Sequence, residues 1–243
     1  MSALRLAVWS GPRNISTAMM RAWGNRPDTV VVDEPLYANY LLTTGIDHPG
    51  RDEIIAAGET NWRRVVRTLT GPIPGGRPIW YQKHMTHHIL RDMETDWFAD
   101  LTHAFLIRDP REVVMSYAKT RPTIESTDIG ILQQVSIYER VRANVDPEPV
   151  VIDAGEFLRQ PEAHLRAWCA RLGVEFMQSM LSWPPGPRKT DGVWARYWYA
   201  EVQQSTGFAP WRPRKLEIPQ KYRRLVDANY PLYELLFAKR LRV

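Results

Sequence analysis

Short apolar runs alternate with helical patterns along most of this 243-residue chain. Runs rich in β-branched and aromatic residues predict buried strands at residues 4–9, 28–33, 78–82, 104–108 and 150–153. Strands that alternate with helices indicate an α/β fold, here a three-layer parallel sheet of about five strands flanked by helices. Ligands of such sheets bind beyond the carboxyl ends of the strands, so the polar residues at those ends are the first candidates for a site.

Apolar residues at helical spacing predict the helices between these strands. The predicted helices cover residues 52–69 with Asp52 as cap, 86–97, 110–119, 128–143, 157–173 with Gly173 as C-cap, and a last helix from about 219. The chain is 44% hydrophobic and long enough to bury a sizeable core, and neither repeats nor a low-complexity linker divide it. We therefore expect a single domain over residues 1–243.

The first strand leads into the polar turn SGPRNIST at residues 10–17, which precedes a helical pattern. A strand, a tight loop and a helix in this order aim backbone N–H groups, two hydroxyls and a guanidinium at the positive end of a helix dipole. That arrangement favours a phosphate or sulfate; the alternative is an ordinary connection in which Ser16 or Thr17 only caps the helix. The turn is neither GxGxxG nor GxxxxGK[ST], because Ile15 and Ser16 stand where the latter needs Gly and Lys.

Net charge, cysteine content and hydropathy limit the class of protein. The net charge of +5 and the pI of about 9.4 suit a polyanionic small ligand, and nucleic acid is an unlikely partner because the basic residues occur only in small groups. The single cysteine, Cys169, excludes an internal disulfide and fits the apolar pattern of a core helix. No window reaches the about 18 apolar residues of a membrane span. We expect a cytoplasmic protein without a membrane anchor.

The polar turn resembles the 5′-phosphosulfate loop of sulfotransferases that use 3′-phosphoadenosine-5′-phosphosulfate (PAPS). Their pattern Pro-Lys/Arg-Ser-Gly-Thr/Ser-Thr appears here over residues 12–17, with Asn and Ile in place of Ser-Gly. The resemblance implies the P-loop NTPase-like sulfotransferase fold, PAPS as donor and 3′,5′-adenosine diphosphate (PAP) as product. It also implies that the loop holds the cofactor through Arg13, Asn14, Ile15, Ser16 and Thr17, and that Arg13 neutralises the leaving phosphate.

Two later segments resemble motifs that bind the 3′-phosphate in the same family. Arg108 ends the fourth predicted strand and Ser116 follows eight residues later, in the next predicted helix. A dianionic phosphate needs such a fork of fixed donors. The alternative is that Arg-Asp-Pro-Arg, at residues 108–111, is a common surface turn with a local ion pair. Arg188 and Lys189, in RKTDGVW, loosely match the late Arg-Lys-Gly loop that closes over the same phosphate; the alternative is a solvated basic turn.

The general base has two candidates. Glu34, in DEPL after the second strand, resembles the Glu-Pro-Leu of carbohydrate sulfotransferases, and His84, in QKHM, stands where cytosolic sulfotransferases place Lys-x-His. A partly desolvated carboxylate or an imidazole can each take a hydroxyl proton. Lys83 is a further catalytic candidate that could help to neutralise the leaving phosphate. Glu34 could instead be a capping or ion-paired carboxylate, and His84 an ordinary polar residue.

No metal is expected, because His84, His87 and His88 have neither Cys nor carboxylate at ligand spacing. The sequence thus predicts a PAPS-dependent sulfotransferase that acts on a hydroxyl or amine of a small-molecule acceptor. The acceptor pocket is expected from residues 36–50, 120–135 and the aromatic tail at 194–211, and a homo-oligomer is compatible with the sequence. The alternatives are a nucleotide phosphotransferase or hydrolase on the same scaffold, or a nucleotide-binding protein that has lost catalysis.

Overall fold

The computed structural model describes residues 3–119, 123–213 and 216–243. Its central element is a five-stranded sheet in which every pair of neighbouring strands is parallel, in the order β2-β3-β1-β4-β5. The strands are β1 Leu4–Ser10, β2 Thr29–Asp33, β3 Ile79–Met85, β4 Thr102–Ile107 and β5 Val150–Asp153. The predicted α/β fold with a parallel sheet is confirmed, and each predicted strand lies within a few residues of an observed one.

Apolar side chains cover both faces of the sheet and so create three layers. Leu6 and Val8 point to one face, where they pack with the helices over residues 16–24 and 161–171. Ala7 and Trp9 point to the other face, against the helices over residues 131–144 and 220–237. The α-helices of the described residues are α1 Ser16–Gly24, α2 Tyr37–Thr44, α3 Arg51–Ala57, α4 Trp62–Thr70, α5 Pro110–Tyr117, α6 Ser126–Ile129, α7 Ile131–Asn144, α8 Ala154–Arg159, α9 Pro161–Arg171, α10 Ala195–Trp198, α11 Ala200–Gln204 and α12 Gln220–Phe237. In the described ranges no helix combines the length and the apolar character needed to cross a membrane.

Several predicted helices are interrupted. The prediction of one helix over 52–69 is wrong, because Gly58 adopts an extended conformation and Asn61 caps a new helix through its side-chain oxygen. The helix predicted over 157–173 breaks at Gln160, where the following proline disfavours helical backbone. The helix predicted over 86–97 is also wrong: the chain forms only 3₁₀ turns at Thr86–His88 and Asp96–Asp100.

The strand register brings three connecting loops to one edge of the sheet. Ser10 at the end of β1 pairs with Met85 of β3 and with Leu106 of β4, and Asp33 at the end of β2 pairs with Lys83. The loops that follow β1, β2 and β4 therefore emerge side by side. This carboxyl edge is where an α/β sheet binds its ligands.

Candidate active site

Two features anchor the loop after β1: the hydrogen bonds of the Asn14 side chain and the close approach of Gly11 to the Ile129 carbonyl. Asn14 donates from Nδ2 to the Leu106 carbonyl at 2.9 Å and accepts from the Ile15 backbone N–H at 2.7 Å. A Cβ at Gly11 would lie 2.8 Å from the Ile129 carbonyl oxygen, so only glycine fits this position without movement. Asn14 therefore fixes the loop to β4 and gives it a defined path.

The loop ends at the N-terminus of α1, which has no capping side chain. The N-cap position is Ile15, whose side chain packs on the core, and the first turn contains no acidic residue. Ser16, which is buried, and Thr17, which is half-buried, begin the helix. The first-turn N–H groups and the helix dipole thus provide a site for an anion.

Three of the predicted phosphate-binding residues lie together beside this helix. Arg13 donates from Nε to Ser116 Oγ at 2.9 Å, and Arg108 donates from Nη1 to the Arg13 carbonyl at 2.6 Å. Arg108 is held from its other side by Glu112, whose Oε2 accepts from Nε at 2.9 Å and from Nη2 at 2.7 Å. Two guanidinium groups and a hydroxyl thereby converge beyond β1 and β4, and this donor set fits a dianionic phosphate.

A second group of polar residues lies at the ends of β2 and β3. Lys83 Nζ donates to Asp33 Oδ1 at 2.8 Å, to Glu34 Oε1 at 2.5 Å and to the Tyr199 hydroxyl at 2.7 Å. Tyr199 in turn donates to Asp33 Oδ2 at 2.7 Å. We call Asp33, Glu34, Lys83 and Tyr199 the lysine cluster. All three ammonium protons of Lys83 are used within the cluster, so Lys83 holds Glu34 instead of pointing at the loop after β1.

Burial and charge perturb both ends of the Lys83–Glu34 pair. Burial raises the pKa of the Glu34 carboxyl; Lys83 opposes this shift and Asp33 reinforces it. Burial acts to lower the pKa of Lys83, but the carboxylates of Asp33 and Glu34 outweigh it and hold that pKa well above its ordinary value. The cluster therefore contains a permanently charged lysine and a carboxylate of raised basicity, as a general base requires.

Backbone strain occurs at two of the predicted catalytic residues. In the described ranges the non-glycine residues with positive φ are Arg13, at 56°, and Glu34, at 41°. Non-glycine residues adopt this conformation at a cost of about 1–3 kcal/mol, and such residues cluster at functional sites. Two backbone hydrogen bonds hold Glu34 at positive φ: its N–H donates to the Lys83 carbonyl, and its carbonyl accepts from the Tyr37 N–H.

His84 lies on the opposite face of β3 from its neighbour Lys83. Its ring stacks on Trp9 with centroids 4.5 Å apart, and its Nε2 lies 3.3 Å from Gln82 Oε1. Burial, with a smaller contribution from His103, lowers the pKa of His84 to about 3. His84 is thus a neutral residue of the interior, and the structure does not bring it together with Glu34.

The loop with Arg188 and Lys189 packs against α1 and the lysine cluster, whereas the sequence placed it near Arg108 and Ser116. Asp191 pairs with Arg21 of α1 at 2.7 Å, both side chains being buried, and accepts from the Arg188 backbone N–H at 2.8 Å. In the described part of the chain no hydrogen bond joins Arg188 or Lys189 to Arg108 or Ser116. The loop lies beside the lysine cluster, where the Gly192 N–H is 3.4 Å from Asp33 Oδ2.

Aromatic residues from the predicted acceptor segments meet next to Glu34. The Tyr37 ring stacks on His88 at 4.7 Å and meets Trp194 edge-on at 5.2 Å. The Tyr37 hydroxyl lies 2.9 Å from His48 Nδ1, and the His48 ring is 6.4 Å from Trp198. Segment 36–50 and the start of the aromatic tail therefore form one wall beside Glu34.

The other parts of the predicted acceptor pocket lie elsewhere. Trp211 packs over the guanidinium of Arg159, which belongs to α8. Residues 120–122 lie outside the described residues, and Gly130, farther along the predicted segment, contacts the loop after β1. The described ranges contain no group of three His, Cys, Asp or Glu side chains that could hold a metal ion.

Comparison with known proteins decides the family. The family model described as "Sulfotransferase domain" matches residues 4–240. The chain belongs to this family. It is also 38% and 35% identical to branched-chain-amino-acid aminotransferase-like proteins 1 and 2 of Arabidopsis thaliana, over 94% of its own length. The sulfotransferase chain spans 40% of the length of each of these relatives.

Solved sulfotransferase structures have the same fold. The sulfotransferase domain of the Synechococcus PCC 7002 olefin synthase matches with a TM-score of 0.59 and 15% identity, covering 100% of this chain and 98% of that one. A sulfotransferase from Alicyclobacillus acidocaldarius matches at 0.54 and 14%, covering 99% and 98%. The sulfotransferase domain from the curacin biosynthetic pathway matches at 0.53 and 15%, covering 94% and 97%. At these identities the likeness concerns the fold alone.

The sequence predicted Arg13, Arg108, Ser116, Glu34 and Lys83 as site residues, and the structure places them at one edge of the sheet. It did not single out Asp33 or Tyr199. Asp33 could have been suspected from its place beside Glu34 at a strand end. Tyr199 follows Asp33 by 166 residues and carries no local signal.

Proposed function

We propose that this sulfotransferase transfers a sulfuryl group from PAPS to a hydroxyl or amine of a small-molecule acceptor. The observation that carries the proposal is the convergence of Arg13, Arg108 and Ser116 at the uncapped N-terminus of α1, beside the lysine cluster. The family membership over residues 4–240 supports sulfuryl transfer, and the donor set supports a nucleotide with more than one phosphate.

The binding roles follow from the geometry of the donors. PAPS supplies an activated sulfuryl group and leaves as PAP. The first-turn N–H groups of α1, with the Ser16 and Thr17 hydroxyls, would bind the 5′-phosphosulfate, and Arg108 and Ser116 would hold the 3′-phosphate. Arg13, which precedes α1 and donates to Ser116, would offset the charge that develops on the leaving phosphate.

Glu34 is the proposed general base. Its side chain is 11% exposed, whereas that of Lys83 is 1% exposed, so the carboxylate is the member of the pair that an acceptor can reach. It takes the proton from the acceptor as the new oxygen–sulfur or nitrogen–sulfur bond forms. The wall of Tyr37, His48, Trp194 and Trp198 lies beside this carboxylate and would orient the acceptor through its apolar surface.

Arg188 and Lys189 remain candidates for a contact with the nucleotide after the loop moves. Their loop is tied to α1 by the Arg21–Asp191 ion pair, so a contact with the 3′-phosphate requires that this loop shifts towards Arg108. A cytoplasmic location and a homo-oligomer are compatible with this function.

The proposal is tested by transfer of label from ³⁵S-PAPS to the small molecules of a cell extract, separated by chromatography. The wild-type protein should produce labelled products, and Glu34→Gln should produce them at least about 100-fold more slowly, since general-base catalysis contributes about 10²–10⁴ in rate. A parallel incubation with Mg²⁺ and γ-³²P-ATP tests phosphoryl transfer. Labelled products from ATP, or none from PAPS, would refute the proposal.

A further inference from the structure

The lysine cluster contains two carboxylates beside one ammonium group, whereas an ion pair between Lys83 and a general base needs only one carboxylate. A carboxylate 2.5 Å from an ammonium is normally a weak base, because the cation favours the ionised form. If Glu34 were the only anion beside Lys83, the ammonium would work against the rise in pKa that burial causes. The second carboxylate, Asp33, changes this balance.

Asp33 is the better fixed of the two anions. Its side chain is 1% exposed, and both of its oxygens are bonded: Oδ1 accepts from Lys83, and Oδ2 accepts from Tyr199 at 2.7 Å and from the Gly192 N–H at 3.4 Å. Within the described part of the chain, the Glu34 side chain has one hydrogen bond, to Lys83, and it is more exposed. Asp33 is therefore the structural partner of the ammonium, and Glu34 is the partner that can exchange a proton.

We propose that Asp33 is a positioning residue that takes up the charge of the Lys83 ammonium and so leaves Glu34 able to accept a proton from the acceptor. Tyr199, between α10 and α11, fixes Asp33 in this role. The inference rests on the proposed role of Glu34 as base.

The remaining ionisable groups around Glu34 do not supply this charge. Glu34 is faced by Asp33 from β2, Lys83 from β3, Tyr37 from α2 and Tyr199 from the junction of α10 and α11. Burial raises the pKa of Tyr37 and of Tyr199, so both phenols stay neutral in the working range of pH. Asp33 is the anion next to Glu34, and removal of its charge isolates the effect.

The test is the titration of the Glu34 carboxyl by NMR in protein labelled with [5-¹³C]glutamate, with the signal assigned from its absence in Glu34→Gln. In Asp33→Asn, which keeps the shape and a Lys83 acceptor, the midpoint should fall by about one to two pH units, as expected when a unit charge bound to the same ammonium is removed. The acid limb of kcat/KM should move down with it. In the matched control Tyr199→Phe, which breaks the hydrogen bonds of the hydroxyl to Asp33, Lys83 and Trp194 but alters no charge, the midpoint should move by less than half as much.

An unchanged midpoint in Asp33→Asn, or equal shifts in the two variants, would overturn the inference. Should Asp33→Asn fail to fold, the titration of the wild-type protein can still overturn the inference: a Glu34 midpoint below the ordinary glutamate value would mean that Asp33 does not offset Lys83. The titration needs no turnover. A protein that shows the expected midpoints but transfers no sulfuryl group would therefore contradict the proposed function and not the role of Asp33.

Discussion

Lys83→Met removes the cation from a buried cluster that contains two carboxylates. Lys83 and Asp33 are each 1% exposed at their side chains, and Glu34 is 11% exposed. Removing one partner of a buried ion pair costs about 3–5 kcal/mol, because the remaining charge is left without compensation. The whole free energy of unfolding of a domain is only about 5–15 kcal/mol. We therefore expect Lys83→Met to lose a large fraction of its stability at neutral pH.

The loss should depend on pH with a definite sign. Without the ammonium, burial and repulsion by Asp33 raise the folded-state pKa of the Glu34 carboxyl above its unfolded value. The folded protein then binds more protons than the unfolded chain, so its stability is greatest at low pH and falls as pH rises through the raised pKa. This carboxyl contributes a slope of up to about 1.4 kcal/mol per pH unit. In the wild type, the contribution of Lys83 is complete at neutral pH, because its folded-state pKa is raised further above the ordinary lysine value.

The assay is urea unfolding at pH 5.5 and 8, followed by fluorescence of the ten tryptophans. Lys83→Met should be destabilised by about 3–5 kcal/mol at pH 8 and by clearly less at pH 5.5. The control is Lys239→Met, which removes the same side chain from an exposed position and should change stability by less than about 0.5 kcal/mol. A Lys83→Met variant as stable as this control, or less stable at pH 5.5 than at pH 8, would refute the reasoning.

Three further predictions concern the loop, the interior and the base. Gly11→Ala should lower stability by about 1–3 kcal/mol and weaken PAP binding, because its Cβ would meet the Ile129 carbonyl at 2.8 Å; an unaltered melting temperature and PAP affinity would argue against this loop path. Cys169 is buried and its pKa is raised to about 11, so iodoacetamide at pH 8 should label it only after unfolding in urea; rapid labelling of the native protein would contradict its burial. His84→Gln should keep single-turnover transfer within about tenfold of wild type, whereas Glu34→Gln should fall at least about 100-fold; equal losses would show that Glu34 has no special part in proton transfer.

The strands could be predicted from the sequence because their signal is local. Each strand is a short apolar run, and the parallel order places every strand end at the same edge, so Glu34 and Arg108 follow directly as site residues. Helix breaks were predicted less well. Glycine, asparagine and proline inside a helical pattern end or restart a helix according to cap geometry, as Asn61 does, and the apolar period continues through the break.

Long-range contacts explain what the sequence could not give. The loop with Arg188 matches a cofactor motif, but its position is decided by the ion pair of Asp191 with Arg21, two residues far apart in the chain. The same holds for Tyr199, which reaches Asp33 from another element. His84 and Lys83 are neighbours in sequence, yet strand alternation sends them to opposite faces, and only the buried surroundings of His84 show that its imidazole stays neutral.

The central claim is that Arg108 and Ser116, with the loop after β1, recognise a nucleotide with a 3′-phosphate. Isothermal titration calorimetry with PAP and with 5′-AMP tests it most directly, in wild type and in Arg108→Ala. A hydrogen bond to a charged group is worth about 1.5–3 kcal/mol, so wild type should bind PAP about 10- to 100-fold more tightly than 5′-AMP, and Arg108→Ala should lose most of that preference. Equal affinities for the two nucleotides, or a preference that survives in Arg108→Ala, would contradict the account.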